Sequence, residues 1–179
     1  MGSIAAPAFI NRVLISDDRV GFQDCDGYFH LNNARYTDML INHRGFSAEE
    51  NLALSPYELG KKLGMGMIVQ QIGMRFVSSA QLHETVEIAS WAFSISKDGF
   101  SVRATIAHKE KRIVRAAAEM MLRFVDLKTG KLMGTPAEWP TASEEDLIGK
   151  RPMADEYIQT LKGVPEGFLK NGLVPVGAM

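Results

Sequence analysis

A chain of 179 residues and 19.8 kDa has room for one domain plus an extension, since single domains run to roughly 100–200 residues. Hydrophobic residues at 46% and charged residues at 23% supply the apolar surface for a real core and exclude global disorder. With 20 Lys and Arg against 21 Asp and Glu there is no broad basic field for nucleic acid, and the lone Cys25 excludes an intramolecular disulfide and fits a reducing compartment.

Met1 to Ile10 is small and apolar but lacks the basic start and long apolar stretch of a secretory signal. No window approaches the roughly 18 apolar residues that span a bilayer. A soluble, cytoplasmic protein is expected, with no membrane span and no nucleic-acid partner.

Arg12 to Phe22 reads as a first strand, with Val13 and Ile15 on one side and Leu14, Val20 and Phe22 on the other. Asp24-Cys25-Asp26-Gly27 then breaks the pattern with turn chemistry, because short carboxylates bond nearby amides and Gly accepts unusual dihedrals. Asn32 and Asn33 are good N-cap residues for a helix in which Tyr36, Met39, Leu40 and His43 recur at helical spacing. Ile41 and Phe46 add apolar mass elsewhere on it, so burial on more than one side is expected. Two capping boxes follow, Ser47 to Glu50 and Ser55 to Glu58, the second with Pro56 at the first helical position, and that helix should stop near Gly64.

From there the period changes to two, which places strands near 66–78, 84–96, 100–109 and 113–126. Lys97-Asp98-Gly99 makes a tight hairpin turn, and Asp126 to Gly130 turns the chain again. In the last long strand Val114, Ala116, Ala118, Met120, Leu122 and Phe124 share a face opposite Arg115, Glu119 and Arg123. The order of strand, long helix and four strands predicts an α+β fold, one helix covering an antiparallel five-stranded sheet. Residues 1–136 form the expected domain. Residues 137–179 are a Pro-, Gly- and charge-rich extension with weak helix signals at Ser143 to Ile148 and Asp155 to Leu161, packing on the domain or on a partner subunit.

The densest run of functional groups is Asp24-Cys25-Asp26-Gly27-Tyr28-Phe29-His30-Leu31-Asn32-Asn33-Ala34-Arg35-Tyr36. On composition alone Asp24 and Asp26 are turn-formers, Asn33 is an N-cap and His30 a structural histidine. Asp24, Asp26 and His30 in one short turn are a weak metal signal, so no metal is expected. Nothing near Cys25 supplies the base or lowered pKa that a nucleophilic thiol needs. The methionines, Met65, Met67, Met74, Met120 and Met121 among them, read as core fillers. Lys109, Lys111, Arg112 and Arg115 read as a solvated hairpin end.

The same run resembles the hot-dog thioesterases related to 4-hydroxybenzoyl-CoA thioesterase and the acyl-acyl-carrier-protein thioesterases. Their signature is an Asp-x-Asp turn, then His-x-Asn-Asn and a Tyr three residues on, matched here by Asp24, Asp26, His30, Asn32, Asn33 and Tyr36. The stretch His-Leu-Asn-Asn-Ala-Arg-Tyr looks like the branch around the animal thioesterase-superfamily member six. The resemblance covers roughly residues 11–136 and not the tail. It departs at Phe29, where many relatives carry Gly.

The resemblance implies a hot-dog fold, a long central helix wrapped by the sheet, and an acyl-CoA or acyl-carrier-protein thioester hydrolase without a separate cofactor. It implies Asp26 and Asn33 as catalytic residues and His30, Asn32 and Tyr36 as substrate-binding ones. Asp26 would act as general base on water or attack directly, and helix-N-terminal amides would hold the oxyanion. It further implies a homodimer, with a tetramer as the larger alternative, and sites at the subunit interface; analogy with the fold brings the basic hairpin end to the 3′-phosphate of coenzyme A. The alternatives are an acyl- or CoA-binding module without turnover and, less favoured, a hot-dog dehydratase or hydratase.

Overall fold

The computed structural model describes residues 12–52, 56–136, 152–166 and 168. In chain order these form β1 (Leu14–Arg19), a 3-10 turn (Phe22–Asp24), α1 (Asn33–Leu52), α2 (Pro56–Leu63), β2 (Met65–Phe76), β3 (Thr85–Ser96), β4 (Gly99–His108), β5 (Val114–Asp126), β6 (Leu132–Met133) and α3 (Pro152–Gln159). Five strands build one antiparallel sheet in the order β1-β3-β4-β5-β2, and the two-residue β6 pairs with the end of β5. This is the expected α+β hot-dog arrangement with a short sixth strand added.

Period-two patterning fixes β2 to β5 within two residues of the expected bounds. Turn chemistry fixes where they reverse. Gly99 takes φ +154, and a Cβ there would lie 2.1 Å from Leu122 O, so the β3-β4 hairpin requires glycine. Gly64, at φ +64, ends α2 as expected. At the other turn Asp126 Oδ1 accepts the Lys128 and Thr129 amides, which holds the Asp126 carboxyl below its usual range.

The inner sheet face and α1 share the main core. Tyr36, Met39 and Leu40 of α1 cluster with Ile88, Val102, Ile106, Ala116, Ala118, Met120, Leu122 and Phe124. Each fully buried aliphatic or aromatic side chain contributes about 1.5–3 kcal/mol by leaving water. Met65 and Met120 are buried there, and Met67 and Met74 pack against it.

Four local expectations change. β1 is shorter than Arg12 to Phe22, and Phe22 lies in the 3-10 turn, 72% exposed. Helix α1 runs unbroken through Ser47, so that residue caps nothing: its hydroxyl lies 3.2 Å from His43 Nδ1 inside the helix. Ile41 and Phe46 are exposed, so the buried stripe is one-sided within the single chain. Val114 leaves the main core and packs with Ala107 and Leu161, because the β4-β5 register shifts between Ile106 and Ala107 and resets the alternation. Ser55 and the Ser143 to Ile148 helix signal lie outside the described residues.

The outer sheet face is covered by the extension. Trp91 and Ala117 pack with Ala154, Ile158 and Phe168, and the Trp91 and Phe168 rings meet edge to face at 6.3 Å. Arg103, 1% exposed, lies 4.2 Å from the Phe93 ring centre and 3.6 Å from Glu119. Tyr157 donates to Glu87 at 2.8 Å, and the Arg112 guanidinium sits over its ring at 5.0 Å. Burial raises the Tyr157 pKa.

The two sheet edges differ. β1 has six residues and ends in exposed Asp17, Asp18 and Arg19. β2 has twelve and carries exposed Ile68, Val69, Ile72 and Phe76.

Candidate active site

The loop between β1 and α1 is tied down at both ends. Asp24 is buried, and its Oδ2 accepts the Gly21 amide at 3.0 Å while Oδ1 accepts Arg35 Nε and Nη2 at 2.9 and 2.7 Å. Arg35 Nη1 also donates to Asp38 at 2.7 Å. The Asp24 carbonyl accepts the Asn32 amide at 2.9 Å, so one aspartate joins the 3-10 turn to the first turn of α1. On the far side, Leu31 N donates to Ala80 O at 2.9 Å and Leu82 N to Phe29 O at 3.0 Å.

Asp26 stands at the apex of this frame, and its carboxylate is exposed. Oδ1 accepts the amides of Tyr28 at 2.9 Å and His30 at 3.1 Å. Oδ2 has no hydrogen bond among the described residues. The two aspartates therefore differ physically: one is a buried tie, the other presents an oxygen to solvent from a fixed backbone.

Asn32, not Asn33, is the N-cap of α1, since its Oδ1 accepts the Ala34 amide at 2.9 Å. Asn33 is the first helical residue and is exposed. The Ala34 amide goes to the cap and the Arg35 amide to Asn32 O, which leaves Asn33 N–H without an acceptor among the described residues. A helix N-terminus with a spare donor favours negative charge.

The remaining expected site residues are placed differently. Tyr36, given a substrate-binding role in the sequence, is 2% exposed; its hydroxyl accepts the Ala80 amide at 3.0 Å and its ring meets Phe76 edge to face at 5.4 Å. It belongs to the core, because a helix running at the sheet buries the position three residues after Asn33. Burial raises its pKa. His30 bridges to Gln81 through its backbone and is half-buried. Cys25 donates to Gly21 O at 3.4 Å, and burial with the neighbouring Asp24 and Asp26 charges raises its pKa, which keeps it a thiol. Among the described residues no group of three His, Cys, Asp or Glu could hold a metal ion.

Phe29 occupies the left-handed region at φ 60, which explains why glycine suits this position. Its exposed ring lies 6.4 Å from that of Phe22, and Tyr28 beside it is 80% exposed, so aromatic surface flanks Asp26. The sequence reading missed the Arg35 tie, whose signal is a cation one turn into a helix that follows a buried turn carboxylate. The basic hairpin end offers little free charge: Lys109 pairs with Asp17, Arg112 with Glu87 and Arg115 with Glu84.

The sequence profile of the thioesterase-like superfamily matches residues 20–148. A search of curated proteins finds no match. Among solved structures, YbaW, a probable thioesterase from Escherichia coli, aligns at TM-score 0.63 and 21% identity over 76% of this chain and 97% of that one. A 1,4-dihydroxy-2-naphthoyl-CoA thioesterase from Synechocystis aligns at 0.63 and 15% over 71% and 92%. The Staphylococcus aureus protein SAV2348, in complex with CoA, aligns at 0.63 and 14% over 89% and 93%. The fold is shared with all three, and the profile covers more than half of the sequence with the Asp26 loop inside it: the chain belongs to the thioesterase-like superfamily.

Proposed function

We propose that this protein hydrolyses the thioester of an acyl-CoA or acyl-carrier-protein, with Asp26 as general base or nucleophile. The observation that carries the reading is the exposed Asp26 carboxylate, one oxygen fixed by two amides and the other open, in the loop that leads into the spare Asn33 N–H at the start of α1. In the general-base form, Asp26 Oδ2 takes a proton from water as the water oxygen attacks the thioester carbon. The carbonyl oxygen then gathers charge against the Asn33 amide. Collapse breaks the carbon–sulfur bond, and the thiolate leaves and is protonated. In the nucleophilic form Oδ2 itself attacks, and water cleaves the resulting anhydride. His30 and Asn32 serve by shaping the loop and capping the helix. Superfamily membership supports the reaction class, and the CoA complex of the similar Staphylococcus fold supports a CoA carrier.

The proposed assembly is a homodimer through the β2 edge. A twelve-residue edge strand with four exposed apolar side chains leaves backbone groups and apolar surface to be covered. A tetramer made by stacking sheets would need the outer face, which α3 and Phe168 already cover. No described helix is long and apolar enough to cross a membrane, and with the free thiol of Cys25 this supports a cytoplasmic setting.

Free thiol release from short, long and aromatic acyl-CoA esters tests the proposal, comparing native protein with Asp26→Asn. Loss of turnover in the variant, with the fold intact, is the expected result. If the folded native protein cleaves none of them, the binding-module reading replaces it; the strained Phe29 backbone beside the site is the observation in that reading's favour.

A further inference from the structure

Helix α1 carries a buried cation that no described residue neutralises. Arg44 is 6% exposed, and its Nε is wholly buried with no hydrogen-bond partner. Among the described residues no carboxylate pairs with it, whereas the other deeply placed arginines, Arg103 and Arg115, face Glu119 and Glu84. Its neighbour His43 is taken up elsewhere: Nδ1 lies 2.7 Å from Ser16 Oγ of β1, and Nε2 lies 2.9 Å from Ser90 Oγ of β3. Burial lowers the Arg44 pKa to about 10, and burial first, then the Arg44 charge, lowers that of His43 to about 4. Burying a guanidinium without a partner is costly, and since no described carboxylate offsets that cost, an anion carried in by a ligand would.

The position of Arg44 on the helix indicates which anion. Asn33, Thr37, Leu40 and Arg44 follow one another at i, i+4, i+7 and i+11, and eleven residues return to within about 20° of the starting direction. The stripe deepens along its length: Asn33 is exposed, Thr37 half-buried, Leu40 and Arg44 buried. His43, about 100° round the helix, faces the other flank toward β1 and β3. At 1.5 Å per residue, Arg44 lies about 16 Å from the Asn33 end, the length of an extended acyl chain of about a dozen carbons.

We propose that Arg44 recognises a carboxylate at the far end of the acyl group, so that the preferred substrates are thioesters of dicarboxylic acids. The proposal rests on the thioesterase reading for the placing of the thioester at Asn33, and it deepens that reading by naming the acyl class. A plain alkyl chain along the stripe would bring methyl groups to a buried cation and leave it unpaired. A terminal carboxylate meets it with charge-assisted, bidentate geometry.

The test compares dodecanedioyl-CoA with dodecanoyl-CoA in native protein, Arg44→Met and Arg44→Lys. Native protein should favour the diacid ester in kcat/KM by at least about tenfold, Arg44→Met should lose that preference, and Arg44→Lys should keep part of it. Without ligand, Arg44→Met should melt about 3 °C or more above native protein, since an uncompensated charge gives way to an apolar chain of similar length. A structural arginine would move the melt the other way. Binding of free dodecanedioic against dodecanoic acid by calorimetry separates the two readings. Diacid binding that needs Arg44, in a protein that cleaves nothing, keeps this site and removes the thioesterase; hydrolysis without diacid preference, or preference surviving in Arg44→Met, overturns this site alone.

Discussion

Arg35 holds Asp24 through two nitrogens on a single carboxylate oxygen, at 2.9 and 2.7 Å, while the other oxygen of Asp24 holds the Gly21 amide. Asp24 is buried although Arg35 is half exposed. Removing the carboxylate strands the half-buried Gly21 amide and cuts the link from the 3-10 turn to α1. Asp24→Ala should therefore cost about 2 kcal/mol of stability. Asp26→Asn touches an exposed oxygen pair and should change stability by less than about 0.5 kcal/mol while removing turnover. Urea melts beside thiol-release assays would show it; an Asp26 variant that is the less stable of the two contradicts the division of roles.

Phe29→Gly relieves a left-handed backbone that costs a bulky residue roughly 1–2 kcal/mol, partly offset by the greater chain entropy of Gly when unfolded. A net gain of up to about 1 kcal/mol is expected, with turnover of bulky acyl esters changed by the loss of the ring. Thermal melts and the same substrate panel check both, and a destabilised variant would mean that the contact with Phe22 outweighs the strain.

His43 sets an acid limit. Its folded pKa of about 4 lies below the ordinary 6.5, chiefly because burial disfavours the charged ring. Between those values the unfolded chain binds the extra proton, so stability rises with pH there. The stabilisation is complete above about pH 6.5 and lost progressively toward pH 4, by about 3 kcal/mol in all. Melting midpoints across that window should slope in native protein and flatten in His43→Gln; an unchanged slope assigns the acid sensitivity elsewhere.

Ile72→Lys places a charge in the middle of the apolar β2 edge without touching the core. The expected product is a folded monomer by light scattering with at least about tenfold lower turnover, since in the proposed dimer a second copy would complete each site. A native protein already monomeric at micromolar concentration would remove the dimer and its contribution to the site.

The strands were legible because the period changes to two from β2 onward, and Asp98-Gly99 and Asp126 to Gly130 mark the ends of β3 and β5, signals that depend only on neighbours. Ser47 was misread for the same reason: Ser-x-x-Glu looks the same inside a helix as at its start, and only the fold shows His43 one turn back to engage the hydroxyl. The shift at Ile106 and Ala107 that carries Val114 out of the main core leaves no mark in the residue pattern. In the loop, a polar signature named the right segment without separating its members. Asp24 and Asp26 look alike in sequence, yet the partner that distinguishes them, Arg35, is eleven residues away. Tyr36 shares its spacing with Met39 and Leu40, and that spacing, rather than its hydroxyl, foretold its burial.

The inequality of the two sheet edges has a consequence for growth. Antiparallel pairing of β2 with its own copy is isologous and uses up that edge in both molecules at once. What then remains at the two ends of the joined sheet is β1, short and finished with Asp17, Asp18 and Arg19, a poor template for another strand. Assembly by this route closes at two chains. A substitution that made β1 longer and neutral would reopen the ends and turn a closed pair into the repeating unit of a fibre.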